Sequence, residues 1–370
     1  MALARRVSRK ACATLLLSIR RHSTFGIAFD IDGVLVRANK PLCGSSQALA
    51  RLYQEPSSKS TYVALSSSLI DFFSLCCALQ PRFVSLLYFS QTVGGGYTEE
   101  KKSLELSELL KIKLSSDQVF LSHTSFKELA SCYRDKRTLA VGKGEPAQVL
   151  RHYGFMNVVA MDDYVCEFES IDPLEQYKPW SRAGSATLAG RESQDVQAVF
   201  IVSDPVDWGR DIQVVSDVLN GGGNPLKVGG KAPPLYFAAD DLIYQSAFPV
   251  VRYGMGAFRI ALESVYTRLT GMPMVYTSFG KPKPATYKLV RKELEKLAGS
   301  VDPLQTIYMV GDNPATDIRG AKEAGKPWFS ILVRTGCFRG INNDEEFPAD
   351  EVVDNIVEAV DFILKREGLD

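Results

Sequence analysis

The chain has 370 residues, which at roughly 150 residues per domain suggests two domains. A composition that is 45% apolar and 23% charged excludes global disorder, a collagen-like repeat and a disulfide-dense mini-fold. Lysine plus arginine and aspartate plus glutamate both number 43, so the formal net charge is zero and no overall charge favours nucleic acid as a partner.

Residues 1–29 contain no acidic residue, while Arg5, Arg6, Arg9, Lys10, Arg20 and Arg21 surround the apolar stretch 11–19. An acid-poor, arginine-rich, serine-containing start describes an organelle transit peptide, mitochondrial or, alternatively, chloroplast. The competing reading is a disordered basic tail. The apolar stretch is too short to span a membrane, and basic residues return where a secretory cleavage site would stand. Residues 1–24 are therefore set apart from the fold.

Residues 25–35 read FGIAFDIDGVL, an apolar run too short for a typical helix, which predicts a buried parallel strand opening into a loop. If the strand runs through both acids, Asp30 and Asp32 share one face, and Gly33 lets the chain turn away. Two close carboxylates repel unless a cation or a proton lies between them. By itself D-x-D-G is weak, because loops that end strands are rich in aspartate and glycine. Residues 62–65 are strand-like, and residues 99–110 carry Leu104, Leu106, Leu109 and Leu110 at spacings that predict a helix covering a sheet. Residues 139–142 begin a strand, 196–202 form a continuous apolar strand, and the glycine run 220–224 reads as a flexible loop. Later, Lys281 sits in a glycine/proline turn before a helical stretch over 285–297. A strand over 306–310 then ends in Gly311, Asp312, Asn313, Pro314, Ala315, Thr316 and Asp317. Taken singly, an exposed loop lysine is usually solvated charge, and Asp317 reads almost equally well as an N-cap of a helix over 318–324. In an open parallel sheet, however, all three segments deliver their charges to the crevice outside the carboxyl ends of the strands.

Other chemistries have less support. Cys12, Cys43, Cys76, Cys77, Cys132, Cys166 and Cys337 form no C-x-x-C pair, so neither a zinc site nor a disulfide framework is indicated. His22, His123 and His152 are the three histidines, and none adjoins a nucleophile elbow.

The order DIDG, GKP, GDNPATD resembles the haloacid dehalogenase-like (HAD) phosphohydrolases. The long segment between the first motif and the lysine is similar to subfamily IIA, which inserts a cap there. GIAFDIDGVL, GGGYTE, GKGEP, DPVDWGRDIQ and RYGMGAF look like a mitochondrial group within it. The resemblance implies an α/β fold: a Rossmann-like core with a parallel sheet flanked by helices, plus an inserted α/β cap. The implied division is core over 25–136, cap over 137–275 and core again over 276–370. It also implies a Mg²⁺-dependent phosphatase acting on a small phosphorylated metabolite through an aspartyl-phosphate. Asp30 would be the nucleophile and Asp32 the acid/base. Lys281 would stabilise negative charge. Mg²⁺ would be held by Asp30, the backbone carbonyl of Asp32 and Asp312, with Asp317 in support. Some members of this group are fused to a phosphatidyltransferase resembling cardiolipin synthase, which implies mitochondrial glycerophospholipid metabolism as the context. A homodimer is compatible with the resemblance; nucleic acid and a membrane span are not expected. The alternative is a HAD-fold binding or regulatory protein with little turnover.

One region departs from the family pattern. Thr92 and Gly94 carry over the phosphate-binding roles, but Val93 stands where the family has asparagine. Residues 66–91 are rich in serine, leucine and phenylalanine and contain no lysine or glutamate. Removing them joins a strand directly to Thr92 and the glycines, so the stretch reads as a translated intron or a misassembled gene model, against a genuine surface insertion or a membrane-associating hairpin. Ser66 is a second candidate for the phosphate-binding hydroxyl. In the cap, Asp241, Arg252 and Gly254 look substrate-facing, with Arg252 placed to bind an anionic group or simply solvated.

Overall fold

A computed structural model describes residues 25–53, 85–90, 96–178, 194–299 and 303–369. The expectations for residues 1–24, Ser66, Thr92 and Gly94 lie outside them. In chain order the strands are β1 (Phe25–Asp30), β2 (Val36–Arg37), β3 (Lys40–Pro41), β4 (Ser85–Ser90), β5 (Val119–Leu121), β6 (Thr138–Val141), β7 (Val158–Ala160) and β8 (Ala198–Ile201). They continue with β9 (Leu235–Phe237), β10 (Ile243–Tyr244), β11 (Arg252–Tyr253), β12 (Thr277–Ser278), β13 (Thr306–Gly311), β14 (Trp328–Val333) and β15 (Glu351–Val353).

Among the described residues, six strands form a first sheet in the order β15-β14-β13-β1-β4-β5, every pair of it parallel. Strand residues alternate between its faces. Ile27, Phe29, Tyr88, Tyr308 and Val310 share one core with α1 (Ser45–Tyr53) and with the helix over Ile356–Arg366, while Ala28, Leu87, Ile307 and Met309 face a second core. The residues buried from α2 (Glu99–Leu110) are Glu99, Lys102, Ser103, Leu106 and Leu110. Leu104 is 66% exposed, against the expectation from its spacing, because it sits about 200° around the helix from Leu106.

The strand between β1 and β5 comes from residues 85–90, inside the stretch 66–91. That position is the one the sequence pattern assigns to residues 62–65, which lie outside the described residues.

Between β5 and β13 the chain builds a second, parallel sheet in the order β12-β9-β8-β6-β7. Its helices include α3 (Pro146–His152), α4 (Trp208–Asn220) and α5 (Met255–Thr270). Phe200 at its centre meets Phe126, Tyr133 and Phe155 edge-on and stacks on Tyr236 at 4.9 Å. The glycine run after α4 is packed rather than loose. Gly223 (φ +104°) donates to the Val218 carbonyl at 2.8 Å, and a methyl group on it would lie 2.2 Å from the Val196 carbonyl oxygen. Past the second sheet come α6 (Pro284–Ala298), α7 (Arg319–Ala324) and α8 (Ile356–Arg366). Among the described residues no helix is long and apolar enough to cross a membrane.

At the start of α2, Glu99 is buried and faces the segment that crosses to the second sheet after β5. Its Oε1 accepts from the Thr124 hydroxyl, the Tyr153 hydroxyl and the Lys127 ammonium, each at 2.8 Å. Tyr153 in turn lies 2.7 Å from His123 Nδ1. Burial pushes His123 down from 6.5 to about 4, against the pull of Glu99. As pH falls through 6.5 the unfolded chain takes up a proton that the folded chain refuses until about 4, so this group costs stability progressively across that window. In urea denaturation, His123→Gln is expected to recover up to about 3 kcal/mol relative to wild type at pH 4.5 compared with pH 7. Comparing the two chains separates this group from Asp30 and Asp312, whose raised values act in the opposite sense.

Candidate active site

Three carboxyl-terminal strand ends and the second sheet meet at one cleft. β1 ends at Asp30, so the strand does not run through both acids as the alternating pattern required. Asp32 lies beyond it in a tight turn closed by the amide of Val36 on the Ile31 carbonyl at 2.9 Å. Both acids are buried and both line the cleft. Gly33 adopts φ +86°, a conformation that favours glycine, and a methyl group there would lie 2.4 Å from Asp312 Oδ2.

β13 ends at Gly311, which delivers Asp312. The following turn over Pro314–Ile318 is capped by Asn313, whose side chain accepts from the Ala315 amide at 3.1 Å. That turn carries Asp317 back toward the strand end. There its Oδ2 accepts the amides of Asp312 and Asn313, both at 3.1 Å. The N-cap role is therefore Asn313's, and Asp317 fastens the loop and faces the cleft. Cys337, from the loop after β14, donates its amide to Asp312 Oδ2 at 2.6 Å.

Lys281 completes the group. Its turn is held by Thr286, whose hydroxyl donates to the Gly280 carbonyl at 3.0 Å. Its ammonium, almost fully buried, bonds Asp30 Oδ1 at 2.5 Å and Asp317 Oδ1 at 2.7 Å. It is not the solvated loop charge that a single lysine suggests. Carboxylate oxygens of Asp30, Asp312 and Asp317 lie within 4.8 Å of one another, an oxygen-only set of the kind that suits a hard divalent cation. The crowding shows in their proton affinities. Burial, with the charges of Asp317, Asp312 and Asp32, pushes Asp30 well above the carboxylate range despite Lys281. Burial and the charge of Asp317 push Asp312 up to about 7. Burial works against the Lys281 ammonium, but Asp30 and Asp317 outweigh it and hold the group protonated.

From the second sheet, Asp241 enters the cleft just past β9, with Ile243, Tyr244 and Gln245 of the β10–β11 hairpin beside it. Gly256 donates its amide to the Asp241 carbonyl at 2.8 Å. Gly254 contributes by having no side chain, since a methyl group would lie 2.6 Å from that carbonyl oxygen. Arg252 does not line the cleft. Its Nε donates to the carbonyls of Val250 and Val251 at 3.2 and 2.9 Å, and its guanidinium lies over the Phe248 ring at 4.5 Å. Sequence reasoning missed the hairpin residues and the Gly336–Cys337 loop. A third strand, β14, ending beside a Thr-Gly pair was the available signal for that loop.

Family models match in two blocks: haloacid dehalogenase-like hydrolase over residues 27–156 and HAD-hydrolase-like over 278–359. The chain is 31% identical to a mitochondrial hydrolase of Saccharomyces cerevisiae, covering 92% of this chain and 95% of the relative. It is 35% identical to a cardiolipin synthase (CMP-forming)/mitochondrial hydrolase fusion protein of Schizosaccharomyces pombe, again over 92% of this chain but only 53% of the fusion. Among solved structures, glycerol phosphate phosphatase from Mycobacterium tuberculosis in complex with magnesium shares the fold, with a TM-score of 0.54 at 16% identity over 92% of this chain and 77% of that one.

Removing the lysine strands buried carboxylates. Lys281→Met is expected to lose about 3–5 kcal/mol of stability at pH 8. Because burial raises the proton affinity of Asp30, the deficit should shrink as pH falls, and urea denaturation over a pH series measures both.

Proposed function

This chain belongs to the haloacid dehalogenase-like hydrolases, and we propose that it is a phosphatase that transfers the phosphoryl group of a small phosphomonoester to Asp30 and then to water. The observation that carries the reading is the Asp30 carboxylate at the end of the central strand, bonded to Lys281 and clustered with Asp312 and Asp317. Asp30 Oδ attacks phosphorus as the ester P–O bond breaks, and Asp32 gives a proton to the departing oxygen. Asp32 then takes a proton from water, whose oxygen displaces Asp30 from phosphorus and leaves inorganic phosphate. Lys281 neutralises charge on Asp30 and on the transferring group. Asp317 positions Lys281 and, through two amides, the Asp312 loop.

Asp30, Asp312 and the backbone carbonyl of Asp32 would hold Mg²⁺, with Asp317 behind them. Burial and mutual repulsion together raise Asp30 and Asp312, and a divalent cation relieves the repulsion, which supports this. When bound, Mg²⁺ supplies Lewis-acid polarisation of the phosphoryl oxygens. Thr92 and the Gly94 amide are assigned to the phosphoryl oxygens. Residues 137–275, as the inserted cap, together with β12 that completes its sheet, close over the cleft and choose the leaving group. The basic, acid-free start and the names of the two relatives support a mitochondrial location. The fusion relative supports a place in glycerophospholipid metabolism.

Asp30→Asn is expected to lower phosphate release roughly 1,000-fold or more without changing the circular dichroism spectrum. Wild-type-like release from that variant would overturn the mechanism. A chelator should silence the wild-type chain and added Mg²⁺ should restore it, as followed by phosphate release from p-nitrophenyl phosphate.

A further inference from the structure

The core side of the cleft handles the phosphoryl group, which leaves the leaving group to the cap. Of the polar cap side chains there, Gln245 is already spoken for. Its amide nitrogen donates to the carbonyls of Ser246 and Phe248, both at 2.8 Å, and its carbonyl oxygen accepts from Arg339 at 3.1 Å. Asp241 differs. It is only 4% exposed, lines the cleft, and its buried Oδ2 has no hydrogen-bond partner. Leaving a buried carboxyl oxygen unsatisfied is costly, and such a group in a native site calls for an explanation. The surrounding charge limits what can supply the missing donor. Among the described residues, Lys281 is the one cationic side chain lining the cleft, against Asp30, Asp32, Asp241, Asp312 and Asp317. It already faces Asp30 and Asp317, and Arg252 is turned to its own hairpin. A second anionic group on the substrate would meet carboxylates without a counter-charge.

We propose that Asp241 is a specificity-determining residue that accepts a hydrogen bond from a hydroxyl or ammonium group of the leaving alcohol. The substrates are then phosphomonoesters of small hydroxy- or amino-alcohols that carry no second anionic group. Ile243 and Tyr244 pack beside the carbon chain of that alcohol. The inference rests on the phosphatase reading above, which it deepens by naming the leaving group.

The test compares four compounds on the wild-type, Asp241→Asn and Asp241→Ala chains. These are glycerol 3-phosphate (hydroxyl donors), phosphoethanolamine (an ammonium donor), ethyl phosphate (neither) and 3-phosphoglycerate (an added carboxylate). Wild type is expected to favour at least one donor compound over ethyl phosphate and 3-phosphoglycerate by about 10-fold or more in kcat/KM, and which donor wins separates hydroxyl from ammonium recognition. Both variants should lose that advantage while kcat/KM for ethyl phosphate changes less than about threefold. Equal losses on all four compounds would mean a structural role and overturn the inference, as would a wild-type preference for 3-phosphoglycerate. Calorimetric binding of the same compounds to the Asp30→Asn chain decides the matter without turnover. Donors bound no tighter than ethyl phosphate, or no binding of any compound, overturn the inference. Donor-selective binding by a wild-type chain that releases no phosphate overturns the hydrolase reading alone.

Discussion

A single buried ammonium holds this site together. Lys281 bridges Asp30 on the central strand and Asp317 on the turn after β13, and Asp317 in turn ties down the two amides that begin the Asp312 loop. Carboxylates brought this close in an apolar interior would otherwise drive one another toward the neutral acid. The lysine offsets part of that repulsion and fixes directions as well as charge. What it leaves uncompensated is the raised proton affinity of Asp30 and Asp312, the electrostatic signature of a place suited to a divalent cation.

The architecture explains how such distant residues converge. In a parallel sheet every strand points the same way, so the loops leaving β1, β13 and β14 all emerge at one edge. The inserted unit departs after β5 and returns just before Lys281, so that the lysine stands where the chain re-enters the core. The same insertion places Asp241 and the β10–β11 hairpin over the cleft. The junction where the chain first departs carries a polar network around Glu99 beside the buried Phe126. A hydrogen-bonded joint of that kind has directional preferences that a greasy contact lacks.

Much of this was legible in the sequence because each acid carries a local marker. Asp30 and Asp312 close short apolar runs, and Lys281 sits between glycine and proline. These are signals of strand ends and turns, and the parallel sheet turns strand ends into a shared location. Where the sequence misled, the reason was orientation. Arg252 reads as an anion-binding charge on a glycine loop, but nothing in its neighbours reveals that its guanidinium folds back onto its own hairpin. Leu104 shares the spacing of buried leucines yet lies on the opposite side of α2. Gln245 went unnoticed because two-residue strands have no periodicity to detect. Gly336 and Cys337 escaped because they offer bare space and a backbone amide, which no residue-type motif records. The stretch 66–91 is unusual in composition, yet residues 85–90 pair with β1 as a sheet strand, because a central position asks mainly for apolar side chains at the right length.

Asp30 and Lys281 are 251 residues apart in the chain, and Asp317 follows Lys281 by another 36. At a synthesis rate of roughly 5–20 residues per second, the ribosome needs about 15–60 s to deliver the rest of the site once Asp30 has been made. During that interval β1 also lacks β13, its partner on one side. A chain truncated anywhere short of residue 317 therefore lacks part of this cluster however well its early part is folded.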